Sequence, residues 1–393
     1  MPLYDGQNVF SDEELTEPQR KKIEKKADLI LLAPETAMVK ITNASVTLDQ
    51  GSIGVADHNS FSLFQLFPLH FRMHENFVPE VGPVRLVKQI AGRSNYVCYV
   101  SDMGGKFAQN NVMVFDLEHN QEVQEITTPS RYGTIINIQA SQYRLAVFTK
   151  TRLIVFDVGT TDIRQIRSED IRENPNGISA MSYDPSTSAC YLAYPGFEQG
   201  TIQIVNLNTL TTRESKSPVV IEAHENDVAQ IALNCQGTLV ASGSTKGTII
   251  RVFDARTKAI LYELRRGTTP AHLQCIAFSP CSSYLAVASD KGTLHLYGIR
   301  DAEPQKQMNM LERNCGTGSL LKIQLDRDVL ALGFNKQTPT TFQGIVAVCS
   351  DGSYHRFPFT KDGTGKYRQD TPAFTLLEDV KQEESFWKNF TAK

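Results

Sequence analysis

From about residue 35 the chain is written in short apolar runs broken by turn residues, and one run recurs. A glycine or polar turn leads into an alternating apolar strand that closes on an aromatic residue, often with Asp after it. The instances are Ser60-Phe-Ser-Leu-Phe-Gln, Asn111-Val-Met-Val-Phe-Asp, Thr151-Arg-Leu-Ile-Val-Phe-Asp, Gly200-Thr-Ile-Gln-Ile-Val-Asn, Gly247-Thr-Ile-Ile-Arg-Val-Phe-Asp, Gly292-Thr-Leu-His-Leu-Tyr-Gly and Gly352-Ser-Tyr-His-Arg-Phe-Pro. Their closing residues, Phe64, Phe115, Phe156, Val205, Phe253, Tyr297 and Phe357, follow one another at steps of 51, 41, 49, 48, 44 and 60 residues. A four-stranded propeller blade takes about 40 to 50 residues. The spacing therefore predicts an all-β chain folded as a seven-bladed β-propeller, with an insertion enlarging the last step. The rival is a pair of β-sandwiches with accidental spacing, and seven similar units count against it.

Upstream of each run stands a strand that ends in small residues, such as Leu239-Val-Ala-Ser-Gly-Ser and Leu285-Ala-Val-Ala-Ser-Asp. Such a pair reads as the inner part of a blade, where strands crowd toward the channel. The Trp-Asp pair common in WD repeats is absent, Phe-Asp replaces it at positions 115, 156 and 253, and the only tryptophan is Trp387. Residues 1–34 form an N-terminal extension, partly disordered or a short charged helix opened by Pro18. Residues 35–360 are assigned to the propeller and 361–393 to a C-terminal tail.

Charge and cysteine usage narrow the function classes. Forty Lys plus Arg against 43 Asp plus Glu leave a net charge of −3, so nothing marks the whole chain as a nucleic-acid binder. The seven cysteines never form a Cys-x-x-Cys pair, which argues against structural zinc and a secreted disulfide framework. No apolar run approaches the roughly 18 residues of a membrane span, and the first 25 residues lack a signal-type apolar region. The protein is read as cytoplasmic, with any membrane contact peripheral.

Catalytic motifs are scarce. Asp362-Gly-Thr-Gly-Lys-Tyr places Tyr367 where a phosphate-binding loop needs Ser or Thr, and no Gly-x-Ser-x-Gly elbow exists. His224-Glu225 begins like a zinc-protease helix, but Val228 stands where the second histidine belongs. No enzyme activity, metal or cofactor is expected.

Residues 241–300 differ in kind, with eight cations against three carboxylates, a local net of +5. Within them Ile260-Leu-Tyr-Glu-Leu-Arg-Arg reads as the outermost strand of the fifth blade. Successive strand side chains point to opposite faces, so Arg265 and Arg266 cannot easily grip one anion together. Each is placed to serve its own side. Near them the fifth repeat offers His224, Ser244, Thr248 and Arg251, and the sixth offers Ser289, Lys291, Thr293 and His295. Both contain the turn Lys-Gly-Thr, where glycine lets backbone N–H groups approach an anion and the hydroxyl adds a donor. Two readings stand at this point: a pair of anion pockets, or a solvated edge with Glu263 as partner and ordinary hairpin turns.

Leu264-Arg-Arg-Gly, together with Ala223-His-Glu-Asn-Asp-Val, the stretch Gly237 to Asp254 and Ser289-Asp-Lys-Gly-Thr-Leu-His, resembles the fifth and sixth blades of the PROPPINs, which include the WD-repeat proteins interacting with phosphoinositides. Glu173-Asn-Pro-Asn-Gly, Tyr194-Pro-Gly and Cys349-Ser-Asp-Gly-Ser-Tyr-His-Arg-Phe also match, so the likeness covers roughly residues 35 to 360. It looks closest to the branch of the third and fourth human paralogues.

The resemblance implies a phosphoinositide-binding propeller that acts in autophagy at the autophagosome precursor membrane. It implies binding of phosphatidylinositol 3-phosphate and the 3,5-bisphosphate in two pockets flanking the arginine pair. Carried across, His224, Ser244, Thr248, Arg251 and Arg265 line the first pocket, and Arg266, Ser289, Thr293 and His295 the second. A membrane-contact loop falls at about Asp301 to Leu320, with Met308, Met310 and Leu311 as its apolar cluster. A protein partner, an autophagy lipid-transfer protein, is implied at the early blades, where the family's Phe-Asn-Gln-Asp is here Leu48-Asp-Gln-Gly. The alternative is a protein-only WD-repeat scaffold for acidic or peptide partners.

Overall fold

The computed structural model describes residues 41–375 except 59, 67–68, 72–81, 94, 160–161, 188, 209–217, 300–317, 339–340, 362–366 and 370–372. The N-terminal extension and the end of the tail, with Trp387, lie outside the described residues. The described strands form seven antiparallel sheets, six of them four-stranded meanders in chain order and the last a meander with one further strand paired back onto its third, and these are the seven blades of a β-propeller. Blade 5 is Val228–Leu233, Leu239–Ser244, Ile249–Asp254 and Ile260–Arg265. Blade 6 is Leu273–Phe278, Tyr284–Ser289, Thr293–Gly298 and Leu321–Gln324.

Each recurring run of the sequence is the third strand of its blade. Its small-residue partner upstream is the second strand, so the pair sits at mid-blade, and a separate first strand lines the channel. The reason lies in burial on both faces. In Asn111–Asp116 every residue is buried: Val112 and Val114 enter the cluster shared with blade 3, while Met113 and Phe115 enter the one shared with blade 1. A strand buried on both sides must be apolar on both, and small residues in its neighbour let the blades approach. Seven apolar clusters result, one for each junction between adjacent blades.

Pairing in the last blade runs beyond residue 360. Its strands Val329–Thr338, Thr341–Cys349 and Ser353–Lys361 are followed by Tyr367–Gln369 and Ala373–Thr375, both paired with the third strand. The third strand would otherwise leave its outer N–H and C=O groups bare. Residues 367–369 and 373–375 therefore belong to the sheet.

Blade 1 (43–71) and blade 7 (329–375) share no strand among the described residues. They meet through side chains: Ile41, Ile53, Phe64, Val346, Val348 and Tyr354 are buried in one cluster, and the Ile41 N–H donates to the Ser350 carbonyl at 3.2 Å. Gln50 adds a polar tie. Its Nε2 donates to the Phe278 carbonyl of blade 6, and its Oε1 accepts from the Phe334 N–H of blade 7, both at 2.7 Å. Leu48 packs against the cluster of blades 3 and 4, so the segment Leu48-Asp-Gln-Gly lies at the hub.

Candidate anion-binding site

Strand alternation decides where the arginines go. Leu264 is fully buried in the cluster between blades 5 and 6, opposite Ile250 of the same cluster. Arg266, two residues on, shares that side and is itself only 8% exposed. Arg265 takes the other side with Arg251 and Glu263, which face each other in register. The two arginines thus flank blade 5 on opposite faces, as the strand period predicts.

The second set assembles at the blade 5–6 junction. Val287 and Tyr297 enter its cluster, so the alternate positions Ser289, Thr293 and His295 face the same way. Arg266 is pre-positioned there: its Nε donates to the Gly247 carbonyl at 2.6 Å and its Nη2 to the Thr269 carbonyl. Burial lowers its pKa. The oxygens Ser289 Oγ and Thr293 Oγ1 are buried with no hydrogen-bond partner. Ser101 Oγ and Thr149 Oγ1, at the same place in blades 2 and 3, are buried without a partner as well, so what is particular to this junction is the second hydroxyl, Thr293 Oγ1, opposite Ser289. His295 is 4% exposed, and its Nδ1 lies 3.3 Å from Ser319 Oγ.

The first set gathers at the blade 4–5 junction. His224 follows the outermost strand of blade 4, and its Nε2 lies 3.0 Å from Ser242 Oγ. Ser244, two residues beyond Ser242, is buried on the same side. Thr248, also buried, instead stands two residues before Ile250, and its carbonyl accepts from the Arg266 N–H at 3.0 Å, toward the blade 5–6 side. Arg251 is engaged within the protein: Nε donates to Glu263 at 2.8 Å, and Nη1 to the Ala223 carbonyl at 2.7 Å. Its geometry is that of a strut joining blade 5 to blade 4. The remaining cation, Arg265, is half-buried, and its backbone carbonyl accepts from Tyr297 Oη at 3.0 Å.

The two sets are less symmetric than the repeated Lys-Gly-Thr suggests. Ser289 pairs directly with Thr293, but Gly243 pairs with Ile250, which projects Ser244 opposite Ile249 and leaves Thr248 as one extra loop residue. Gly247 and Gly292 both turn at positive φ, 63° and 64°. A Cβ at Gly247 would stand 1.9 Å from the Ala271 carbonyl oxygen, so only glycine closes this turn. Sequence reasoning missed Ser242, Ser319 and Lys322, whose charge acts on His295. Only strand register, which is long-range, brings them in. Met308, Met310 and Leu311 lie outside the described residues.

Both histidines are held neutral. Burial, then Arg251, pushes His224 down to about 4, and burial, then Arg266 and Lys322, does the same to His295. His355 in blade 7 is likewise held at about 4 by burial and Arg327. The unfolded chain, with histidine near 6.5, binds more protons between pH 6.5 and about 4. Stability is therefore full above that window and falls as pH drops through it, by up to about 1.4 kcal/mol per pH unit for each histidine. Denaturant midpoints at pH 7.5, 6 and 5 should fall in that order, and His295→Gln should flatten the trend. An unchanged slope in the variant would assign the acid sensitivity elsewhere.

Comparison with known proteins places these features in context. A family model described as PROPPIN matches residues 42–313. Ectopic P granules protein 6 of Caenorhabditis elegans is 61% identical over 354 residues, covering 89% of this chain and 91% of the relative. Autophagy-related protein 18 of Dictyostelium discoideum is 29% identical over 219 residues, 56% of this chain and 55% of that one. Among solved structures, Kluyveromyces lactis Hsv2 superposes with a TM-score of 0.67 at 22% identity, over 85% of this chain and 98% of its own.

Proposed function

This chain belongs to the PROPPIN family of autophagy-related, phosphoinositide-binding β-propellers, and from that premise we propose that it is a non-enzymatic effector reading phosphatidylinositol 3-phosphate, and its 3,5-bisphosphate, on the autophagosome precursor membrane. The observation that carries the lipid assignment is the blade 5–6 junction: a buried arginine anchored by two carbonyls, two buried hydroxyls without partners and a neutral histidine. A guanidinium fork matches phosphate oxygens, and hydroxyls and an imidazole read the ring around it.

The blade 4–5 junction is the second contact, with Arg265 as its cation, His224 and Ser244 on the same side and Thr248 at the turn above them; Arg251 braces it. Two weak sites on one rigid rim reinforce each other, because capture of the first lipid makes the second event local. Attachment is peripheral. No helix among the described residues is long and apolar enough to cross a membrane. Family likeness further supports recruitment of a lipid-transfer protein through the early blades, and the segment 301–320, with Met308, Met310 and Leu311, as a membrane-contact loop.

Vesicle flotation tests the lipid assignment. The chain should float with vesicles carrying the 3-phosphate or the 3,5-bisphosphate and stay behind with plain phosphatidylcholine, and raising salt should weaken capture because charge dominates the contacts. A chain that ignores every phosphoinositide while retaining a protein partner is a protein-only scaffold.

A further inference from the structure

The junction between blades 6 and 7 repeats the build of the junction between blades 5 and 6. The turn Cys349–Gly352 closes as Ser289–Gly292 does, the glycine N–H donating to the carbonyl three residues back at 3.1 Å in both. Each glycine sits at positive φ, 85° and 64°. The strand leaving the turn then carries a hydroxyl, a histidine and an aromatic at alternate positions. These are Thr293, His295 and Tyr297 in blade 6, and Ser353, His355 and Phe357 in blade 7. His295 stacks on Tyr297 at 6.1 Å and 12°, and His355 on Phe357 at 5.8 Å and 11°. Phe357 and Ala347, the partner of His355, are buried in the cluster shared with blade 6, so Ser353 and His355 face that junction. Arg327, beyond the outermost strand of blade 6, supplies the cation.

One turn position reverses sign. Where blade 6 has Lys291, blade 7 has Asp351, and its carboxylate folds back into the set. It accepts from the Ser353 N–H at 3.0 Å and from Ser353 Oγ at 2.6 Å, and it pairs with Arg327, whose Nη1 also lies 3.4 Å from Ser353 Oγ. Ser353 has one proton to give, and the carboxylate takes it. His355 Nε2, 2.9 Å from the same oxygen, is therefore the donor in that contact. A backbone N–H, a hydroxyl and a guanidinium converge on one anion here, with an imidazole behind the hydroxyl. At the blade 5–6 junction the matching hydroxyl, Thr293 Oγ1, is buried with no partner. Beside Asp351 opens a surface basin of about 510 Å³, lined by the carboxylates Asp290, Asp326, Asp328 and Asp351 against the cations Lys291 and Arg327. As it stands its charge opposes an anion, and Asp351 is the carboxylate that folds onto the hydroxyl and the guanidinium.

We infer that the blade 6–7 junction is a third phosphate pocket of the same build as the second, held shut by Asp351, whose carboxylate stands in the place of the ligand's phosphate. The inference rests on the reading of the blade 5–6 junction as a phosphate site. Its ligand is a phosphate group, carried as a monoester on an inositol ring or free as inorganic phosphate.

Calorimetric titration of the full chain with soluble D-myo-inositol 1,3-bisphosphate, and separately with inorganic phosphate, decides the matter. The unaltered chain should bind two equivalents of the bisphosphate, and Asp351→Asn should bind three. Arg327→Gln added to Asp351→Asn should return the count to two. A site gained for the bisphosphate identifies a headgroup pocket, and a site gained for inorganic phosphate alone identifies a free-ion pocket; either supports the inference. Asp351→Lys, which copies Lys291, is the second variant should the first not fold. Unchanged stoichiometry for both ligands in a folded variant overturns the third pocket. An unaltered chain that binds no equivalents overturns the reading of the first two instead, and a single site gained on substitution would still support this one.

Discussion

Replacing Arg265 and Arg266 together by threonine should lower affinity for vesicles carrying phosphatidylinositol 3-phosphate by on the order of 100-fold to 10,000-fold while the propeller stays folded. A charge-assisted bond from a guanidinium to phosphate is worth about 1.5 to 3 kcal/mol, and the double change removes one from each pocket. Avidity is lost with it, because neither junction keeps an anchor to hold the headgroup while the other engages. The single variants should fall between, since each leaves one junction intact. The fold should survive because the cluster between blades 5 and 6 is filled by Leu264, Ile250 and Tyr297 rather than by either arginine. Losing Arg266 does leave the Gly247 and Thr269 carbonyls without its donors, so a small drop in thermal midpoint is expected. Flotation of the double variant, with circular dichroism as the folding control, makes the measurement. Full binding by a folded double variant would remove the phosphoinositide assignment.

Phe64→Ala should cost about 3 to 5 kcal/mol, a large share of the roughly 5 to 15 kcal/mol that holds a protein together. Phe64 is fully buried in the cluster between blades 1 and 7, and it pairs with Ile53 of the same cluster. Truncation leaves a ring-sized cavity in a junction that no shared strand reinforces. Phe148→Ala, in the cluster of blades 3 and 4, removes the same atoms where the chain continues directly from one blade to the next. Denaturant unfolding should show both losses, and limited proteolysis under native conditions should find blade 1 or blade 7 more readily in Phe64→Ala. A loss below about 1 kcal/mol in Phe64→Ala would mean the ring is closed by something other than this packing.

Much of the fold was legible because the third strand of each blade is buried on both faces and is preceded by a turn. That combination writes the same local text seven times, as in Asn111–Asp116 and Ile249–Asp254. First strands carry a weaker signal. In blade 4 it is only Ala180–Met181, too short for any period to show. The outermost strands of blade 7 lie past residue 361 and are defined by their pairing with Ser353–Lys361, which no local pattern announces. At the site, alternation alone separated Arg265 from Arg266. Alternation could not show that Arg251 spends its donors on Glu263 and Ala223, nor that Thr248 falls one place out of step with Thr293. Those facts depend on cross-strand register and on the end of the neighbouring blade.

The junction between blades 1 and 7 also sets an order of events. Six of the seven junctions join blades that are neighbours along the chain, so each can pack as soon as its second blade has been synthesised. The seventh joins strands some 290 residues apart, from Asn43–Val46 to Val329–Thr338, and must wait for the last blade to emerge. Loop closure over such a distance grows only logarithmically with length, so the wait is one of timing more than of free energy. Until then the Ile53 and Phe64 face of blade 1 stays open to other chains. During synthesis, that apolar surface is what a chaperone would have to shield.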